Sequence, residues 1–147
     1  MMKQYDFKDL CKDFIRILPA NLHSTKEGKC FLWIATKDYD IGALPIHYEI
    51  RKYRTKIYSE IHYEGKGNIT SSANKITIDL SIEFQNYFNG KNGYMKVPNN
   101  VASNLWYRKK DSGVIFSEDC VEDVLKQLKE IVKDTRTDLL KMLSSYF

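Results

Sequence analysis

The sequence has little cysteine: only Cys11, Cys30 and Cys120 occur among its 147 residues. No two of them form a Cys-x-x-Cys pair, and no histidine lies at zinc-finger spacing from them. A zinc ribbon or a thiol redox motif is therefore not expected. An odd set of isolated cysteines is typical of a reducing compartment, so we predict a cytoplasmic protein rather than a secreted disulfide scaffold.

Long apolar segments are also missing from the sequence. The residues after Met1 are charged throughout and contain no apolar stretch of signal-peptide length. No other segment approaches the ~20 apolar residues that span a bilayer, which predicts no membrane association. Glycine-rich phosphate loops, the serine-centred turn of hydrolases and the His-Glu-x-x-His metalloprotease motif are absent as well.

The sequence does contain enough apolar material for one folded domain. Hydrophobic residues make up 43% of the chain and aromatic residues 13%, which excludes a disordered protein. We expect a single globular domain over residues 1–147, long enough to fold without disulfides or metal. The charge is uneven: residues 41–110 carry eleven Lys/Arg against five Asp/Glu, whereas residues 111–147 carry five against eight.

Hydrophobic periodicity predicts helices near both ends of the chain and strands between them. Apolar residues at helical spacing over residues 5–18, followed by Pro19, indicate an amphipathic helix. Ser117 and the acidic residues after it are typical of the N-terminus of a long helix. Residues 21–29 are expected to form a polar loop. Strands are expected within residues 29–36, 46–65 (with a turn in 51–56), 94–97 and 104–116.

These elements predict an α+β fold. It has an N-terminal helix, a mostly antiparallel central sheet of about five to seven strands, and a long C-terminal helix. Burying the apolar stripes of both helices is simplest if they pack on one face of the sheet.

The apolar residues within 74–88 fit both the period of a strand and the period of a helix. Apolar residues alternate with polar ones from Ile76 to Phe84, as in a strand. A helix would also gather apolar residues on one side, but it would leave Ile78 and Ile82 on the wrong face. We predict a strand here and keep a helix as the alternative.

Basic and aromatic residues are interleaved in two of the predicted strand segments. Nucleic-acid surfaces combine cations, which contact phosphates, with aromatic rings on which bases stack. Our first hypothesis is therefore a small non-catalytic module, without a cofactor, that binds nucleic acid or an acidic protein surface. The candidate binding residues are Tyr48, Arg51, Lys52, Tyr53, Arg54, Lys56, Tyr58, Trp106, Tyr107, Arg108, Lys109 and Lys110.

A row of polar residues occupies alternate positions of one predicted strand. Glu60, His62 and Glu64 share a strand face and have donor types that suit Mn²⁺ or Zn²⁺. Because the opposite face of this strand is apolar, we predict that the row is the solvated side of a half-buried strand. A metal site formed by Asp40, Glu60, His62 and Glu64 is the alternative.

Glu64 and Lys66 at the end of this strand, with Asp40 upstream, resemble the catalytic pattern of the PD-(D/E)XK nuclease superfamily. The resemblance implies that Asp40 and Glu64 bind Mg²⁺ or Mn²⁺ and that Lys66 steadies the attacking water or the phosphate. A metal ion would then polarise the phosphodiester and supply hydroxide. A metal-dependent nuclease is the second hypothesis.

The acid-rich C-terminal helix offers a third hypothesis. A long amphipathic helix with charge opposite to that of the basic middle can dock onto a partner or onto a second copy of the chain. The protein would then be an interaction or oligomerisation module.

Overall fold

The computed structural model of the chain describes residues 4–19, 22–36, 46–64, 75–98, 104–110 and 112–146. Within these ranges the chain forms three α-helices, seven β-strands and a short 3₁₀ turn at Glu118–Cys120. The helices are α1 (Phe7–Arg16), α2 (Lys75–Phe88) and α3 (Val121–Tyr146). The strands are β1 (Leu22–Glu27), β2 (Phe31–Thr36), β3 (Ile46–Tyr53), β4 (Lys56–Glu64), β5 (Tyr94–Lys96), β6 (Asn104–Lys109) and β7 (Val114–Ile115).

The described strands form one antiparallel sheet. Its order is β1-β2-β3-β4-β6-β5, and β7 pairs with the first residues of β4. The central strands β3 and β4 are joined by a tight turn, in which Tyr53 pairs with Lys56 and Arg54 has a φ of 56°. The outer strands are less regular, since β1 shifts register between Ser24 and Lys26 and β5 has only three residues.

The predicted α+β fold is confirmed. An N-terminal helix, an antiparallel sheet and a long C-terminal helix occur in the expected order. Helices pack on one face of the sheet: Phe84 of α2 lies 5.5 Å from Tyr63 between ring centroids, and Thr135 of α3 is 2.8 Å from Ser59 between hydroxyl oxygens. None of the described helices is long and apolar enough to span a bilayer.

The apolar core lies between this sheet face and the helices. Strand alternation directs every second residue of β3 and β4 into it. Complete burial of each aliphatic side chain contributes about 1.5–3 kcal/mol, so the central hairpin and α3 dominate the core. Its fully buried members include Ile50, Ile57, Ile61, Phe84, Phe88, Leu128, Leu139 and Leu143.

Side-chain caps begin both terminal helical segments. At α1, Asp6 accepts a hydrogen bond from Asp9 N at 3.0 Å, and Asp9 accepts one from Asp6 N at 3.1 Å. Such a reciprocal capping box satisfies two helix-end donors. Ser117 Oγ accepts from Asp119 N at 3.3 Å and so caps the 3₁₀ turn that leads into α3. The helix start predicted at Ser117 is confirmed.

The strand predicted for residues 74–88 is wrong, because this segment forms α2. Phe84 and Phe88 are fully buried against the sheet, whereas Ile82 remains 51% exposed. A single exposed aliphatic residue costs little. Packing of the two phenylalanines therefore outweighs the local alternation.

The polar loop predicted for residues 21–29 is also wrong, because Leu22–Glu27 form β1. Leu22 is its one buried side chain. A strand at the edge of a sheet leaves little hydrophobic pattern in the sequence, since most of its side chains face solvent.

Candidate functional site

The sheet face opposite the helices, called here the polar face, carries a buried polar cluster at its centre. His47 of β3 lies opposite His62 of β4, and Glu49 lies opposite Glu60. The exposed fractions of His47, Glu49, Glu60 and His62 are 8%, 1%, 0% and 5%. The expectation that Glu60 and His62 belong to a solvated face is therefore wrong.

Two tryptophans enclose the histidine pair. The His47 ring stacks on Trp33 of β2 with centroids 4.3 Å apart, and the His62 ring stacks on Trp106 of β6 at 5.1 Å. The two imidazoles are 4.8 Å apart. Lys26 of β1 adds an ammonium group 4.9 Å from the Trp33 ring centroid. This row of rings crosses four strands, which explains how polar side chains become buried on the face away from the helices.

Glu49 is held through one carboxylate oxygen. Arg51 donates to Glu49 Oε1 from both Nε, at 2.8 Å, and Nη2. The other oxygen, Oε2, lies 3.5 Å from His47 Nε2 and 4.0 Å from His62 Nδ1. None of these three atoms has a hydrogen-bond partner among the residues that the structure describes. A buried polar atom without a partner costs about 1–3 kcal/mol, so three in one place are unusual.

Glu60, in contrast, is fully partnered. Arg108 donates to Oε2 from Nε at 2.8 Å and pairs with it through Nη2 at 2.7 Å. Trp106 Nε1 donates to Oε1 at 2.9 Å, and the Tyr53 hydroxyl lies 3.2 Å from Oε2. Charge-assisted bonds of this kind are about twice as strong as neutral ones. Glu60 thus anchors β3 and β6 to the centre of the sheet.

Burial changes the ionisation of this cluster. Desolvation, reinforced by the neighbouring His47, lowers the pKa of His62 to about 4, so its imidazole is neutral at pH 7. Burial raises the pKa of Glu60, whereas the hydrogen bonds from Arg108 oppose that change. Burial and the nearby Glu60 carboxylate raise the pKa of Tyr53 to about 12.

The predicted binding residues are divided between the two faces of the sheet. Some of them occupy strand positions whose side chains point towards the helices. Tyr48 and Tyr107 are buried there, and Lys109 forms an ion pair with Asp138 of α3 at 3.0 Å. Lys52 also occupies such a position, with its ammonium 5.7 Å from the Phe116 ring centroid. Arg54 lies in the β3–β4 turn. The polar face or its border carries Arg51, Tyr53, Lys56, Tyr58, Trp106, Arg108 and Lys110.

Two adjoining cavities of about 510 and 490 Å³ open on the polar face and are called here the β4–β6 groove. Tyr58, Met95 and Arg108 line both of them. The remaining lining residues include Arg51, Tyr53, Lys96 and Trp106 in the first cavity, and Lys56, Lys109 and Lys110 in the second. The groove therefore combines aromatic rings with several cations.

The nuclease-like pattern lies mostly outside the described part of the chain. Asp40 and Lys66 lie outside the described residues, and Glu64 is described only through its backbone, which pairs with Asn104. Of the alternative metal ligands, Glu60 is occupied by its hydrogen-bond donors. His62 faces His47 and Glu49 instead.

Sequence reasoning missed His47, Glu49 and Trp33 as neighbours of His62. A signal was present for two of them. If the turn is placed so that Tyr53 pairs with Lys56, antiparallel pairing puts residue 47 opposite 62 and residue 49 opposite 60. No local pattern indicates Trp33, because its place depends on how β2 pairs with β3.

No protein-family model, curated protein or solved structure matches the chain. Its function is therefore argued from the chemistry of the polar face.

Proposed function

We propose that this protein is a non-catalytic module that binds single-stranded nucleic acid in the β4–β6 groove. The observation that carries the proposal is the meeting of half-buried aromatic rings with lysines along this groove. Phosphates would contact the lysines while bases stack on the rings. The three free cysteines are in keeping with a cytoplasmic location.

The cations available to phosphates are the lysines rather than the arginines. Arg51 and Arg108 are neutralised by the buried carboxylates of Glu49 and Glu60. Lys56, Lys96 and Lys110 also line the groove, and none of them forms an ion pair with a described residue. An unpaired lysine releases counterions on binding a phosphate without first losing a protein partner.

The aromatic floor of the groove is packed against Arg108. The Arg108 guanidinium lies 4.4 Å from the Tyr53 ring centroid and 4.1 Å from that of Tyr58. The two rings are 5.8 Å apart and nearly perpendicular, with 65° between their planes. Since both rings already have packing partners, we expect that stacking a base on Tyr58 requires little ordering of the protein. Such stacking contributes about 1–3 kcal/mol per base.

The test is fluorescence anisotropy with labelled single-stranded DNA and RNA oligonucleotides over a range of salt concentrations. Reversing Lys56 and Lys110 to glutamate should weaken binding by roughly ten-fold or more. It should also reduce the slope of log K against log[salt] by about 1.4, at ~0.7 for each lost phosphate contact. Tyr58→Ala should weaken binding by about 1–3 kcal/mol, whereas Tyr58→Phe, which keeps the ring, should not.

The matched control changes two exposed lysines of α3, Lys129 and Lys133, to glutamate. It alters the net charge by the same amount as the groove variant. Equal weakening in both double variants would mean general charge attraction and would remove the groove from the proposal. Absence of oligonucleotide binding by the unaltered protein would refute it. Binding to polyglutamate instead would favour an acidic protein partner.

The other two hypotheses stay predictions. The nuclease pattern depends on Asp40 and Lys66, which the structure does not describe. A docking role for α3 gains little support, because no large hydrophobic side chain described on this helix is exposed. Docking would then depend on its charged residues.

A further inference from the structure

We propose that His47, Glu49 and His62 bind one divalent transition-metal ion, for which Zn²⁺ is the best match. One ligand atom from each of the three residues lies within 4.8 Å of the other two, at the centre of the polar face. None of these three residues lines the proposed nucleic-acid groove, although Arg51 and Trp106 contact them and also line it.

The distances come close to those of a bound ion. Zinc bonds to nitrogen and oxygen are about 2.0–2.2 Å long, which places the ligand atoms of a tetrahedral site about 3.3–3.6 Å apart. Glu49 Oε2 is already 3.5 Å from His47 Nε2 and 4.0 Å from His62 Nδ1. Closing the site requires mainly that the two imidazoles approach each other.

The ligand atoms lack any other described partner. His47 Nε2, Glu49 Oε2 and His62 Nδ1 are buried without a hydrogen bond from the described residues, on side chains that are at most 10% exposed. A metal ion would satisfy all three at once. Glu60, two residues away from His62, shows the contrast, since each of its oxygens has hydrogen-bond donors.

The surroundings hold these ligands in place. Arg51 binds Glu49 Oε1 and so turns Oε2 towards the histidines. Trp33 and Trp106 stack on the outer faces of the two imidazoles and restrict their rotation. Supporting contacts of this kind orient ligands in known metal sites.

The donor set selects the class of metal. Two imidazoles and one carboxylate suit Zn²⁺ and its transition-metal neighbours, whereas Mg²⁺ and Ca²⁺ prefer oxygen ligands. The Glu49 charge is shared with Arg51, so binding would depend on the imidazole bonds more than on electrostatic attraction. Three protein ligands leave a fourth tetrahedral position for water or another ligand.

The experiment uses the full-length protein after chelator treatment, with Cys30 and Cys120 changed to serine, because both thiols are exposed and a free thiolate is itself a zinc ligand. Zn²⁺ titration by calorimetry should give one ion per chain. Co²⁺ should produce visible absorption bands and quench tryptophan fluorescence, since both tryptophans of the chain stack on the ligand rings. Mg²⁺ should give neither signal.

His62→Gln and Glu49→Gln each remove a ligand and should weaken Zn²⁺ binding by about 100-fold or more, since loss of a residue that only supports a ligand already costs about 10–100-fold. Both variants should also lose the Co²⁺ quenching. The matched control is His23→Gln, which changes the remaining histidine, an exposed residue on β1. Its affinity should equal that of the parent protein. Circular dichroism checks that each variant is folded.

The proposal is overturned if the parent protein gives no heat and no quenching, or if His23→Gln weakens binding as much as His62→Gln. For variants that do not fold, X-ray absorption of the zinc-loaded parent decides. Scattering from two imidazoles is expected, and a coordination sphere without imidazole would reject the site.

Discussion

Replacing Glu60 with leucine should destabilise the protein strongly. The change leaves the Arg108 guanidinium, with an 18% exposed side chain, and the Trp106 indole N–H without their acceptor. Breaking a buried ion pair by removing one partner costs about 3–5 kcal/mol. Because Arg108 can still reach some solvent, we expect the lower end, about 3 kcal/mol. That is a large part of the ~5–15 kcal/mol that stabilises a typical domain.

Urea unfolding followed by tryptophan fluorescence and circular dichroism measures this effect. With a slope of about 2 kcal/mol per molar urea, the unfolding midpoint should fall by about 1.5 M. Adding Arg108→Met to Glu60→Leu should recover about 2 kcal/mol, since no uncompensated charge then remains. The reasoning is refuted if Glu60→Leu costs less than about 1 kcal/mol, or if the double variant is no more stable than the single one.

Three further predictions concern single side chains. Burial raises the pKa of the Cys11 thiol to about 12, so a thiol reagent should modify Cys30 and Cys120 in the folded protein and Cys11 only after unfolding; three equal rates would contradict this. The raised pKa of Tyr53, about 12, means that the stability it contributes is complete below pH 10 and is lost as pH rises through 12. A tyrosinate absorbance titration of Tyr53→Phe should therefore lose a component near pH 12, whereas loss of a component near pH 10 would contradict this. Tyr94→Phe removes a 2.9 Å hydrogen bond to a carboxylate on α3 and should lower the unfolding free energy by about 1.5–3 kcal/mol in urea titrations, whereas no change would mean that water replaces the bond.

Much of the fold could be predicted because local patterns and tertiary packing agree there. The alternation in β3 and β4 and the cap at Ser117 each follow from a few neighbouring residues. Local patterns fail at α2, where Phe84 packs on Tyr63 of β4 and Phe88 packs on Tyr107 of β6, two strands that are not adjacent in sequence. Local alternation contains no information about those partners.

The candidate site was harder to predict for the same reason. Glu60 and His62 share a strand face because they are two residues apart, which is a local property. Their burial, however, depends on Trp106 and on residues of β2. His47 and His62 are neighbours only in one register of strands β3 and β4, and the turn near Arg54 fixes that register. A one-residue error in that turn would separate the two imidazoles.

The two outer strands limit how other chains can associate with this protein. A long, regular edge strand offers unpaired backbone groups on which another chain can extend the sheet. The register shift between Ser24 and Lys26 distorts one described edge, and the three residues of β5 leave a short ladder at the other. Backbone addition, the usual route to strand-swapped dimers and fibres, is therefore disfavoured at both. Recognition at these two described edges is therefore expected to use side chains rather than backbone pairing.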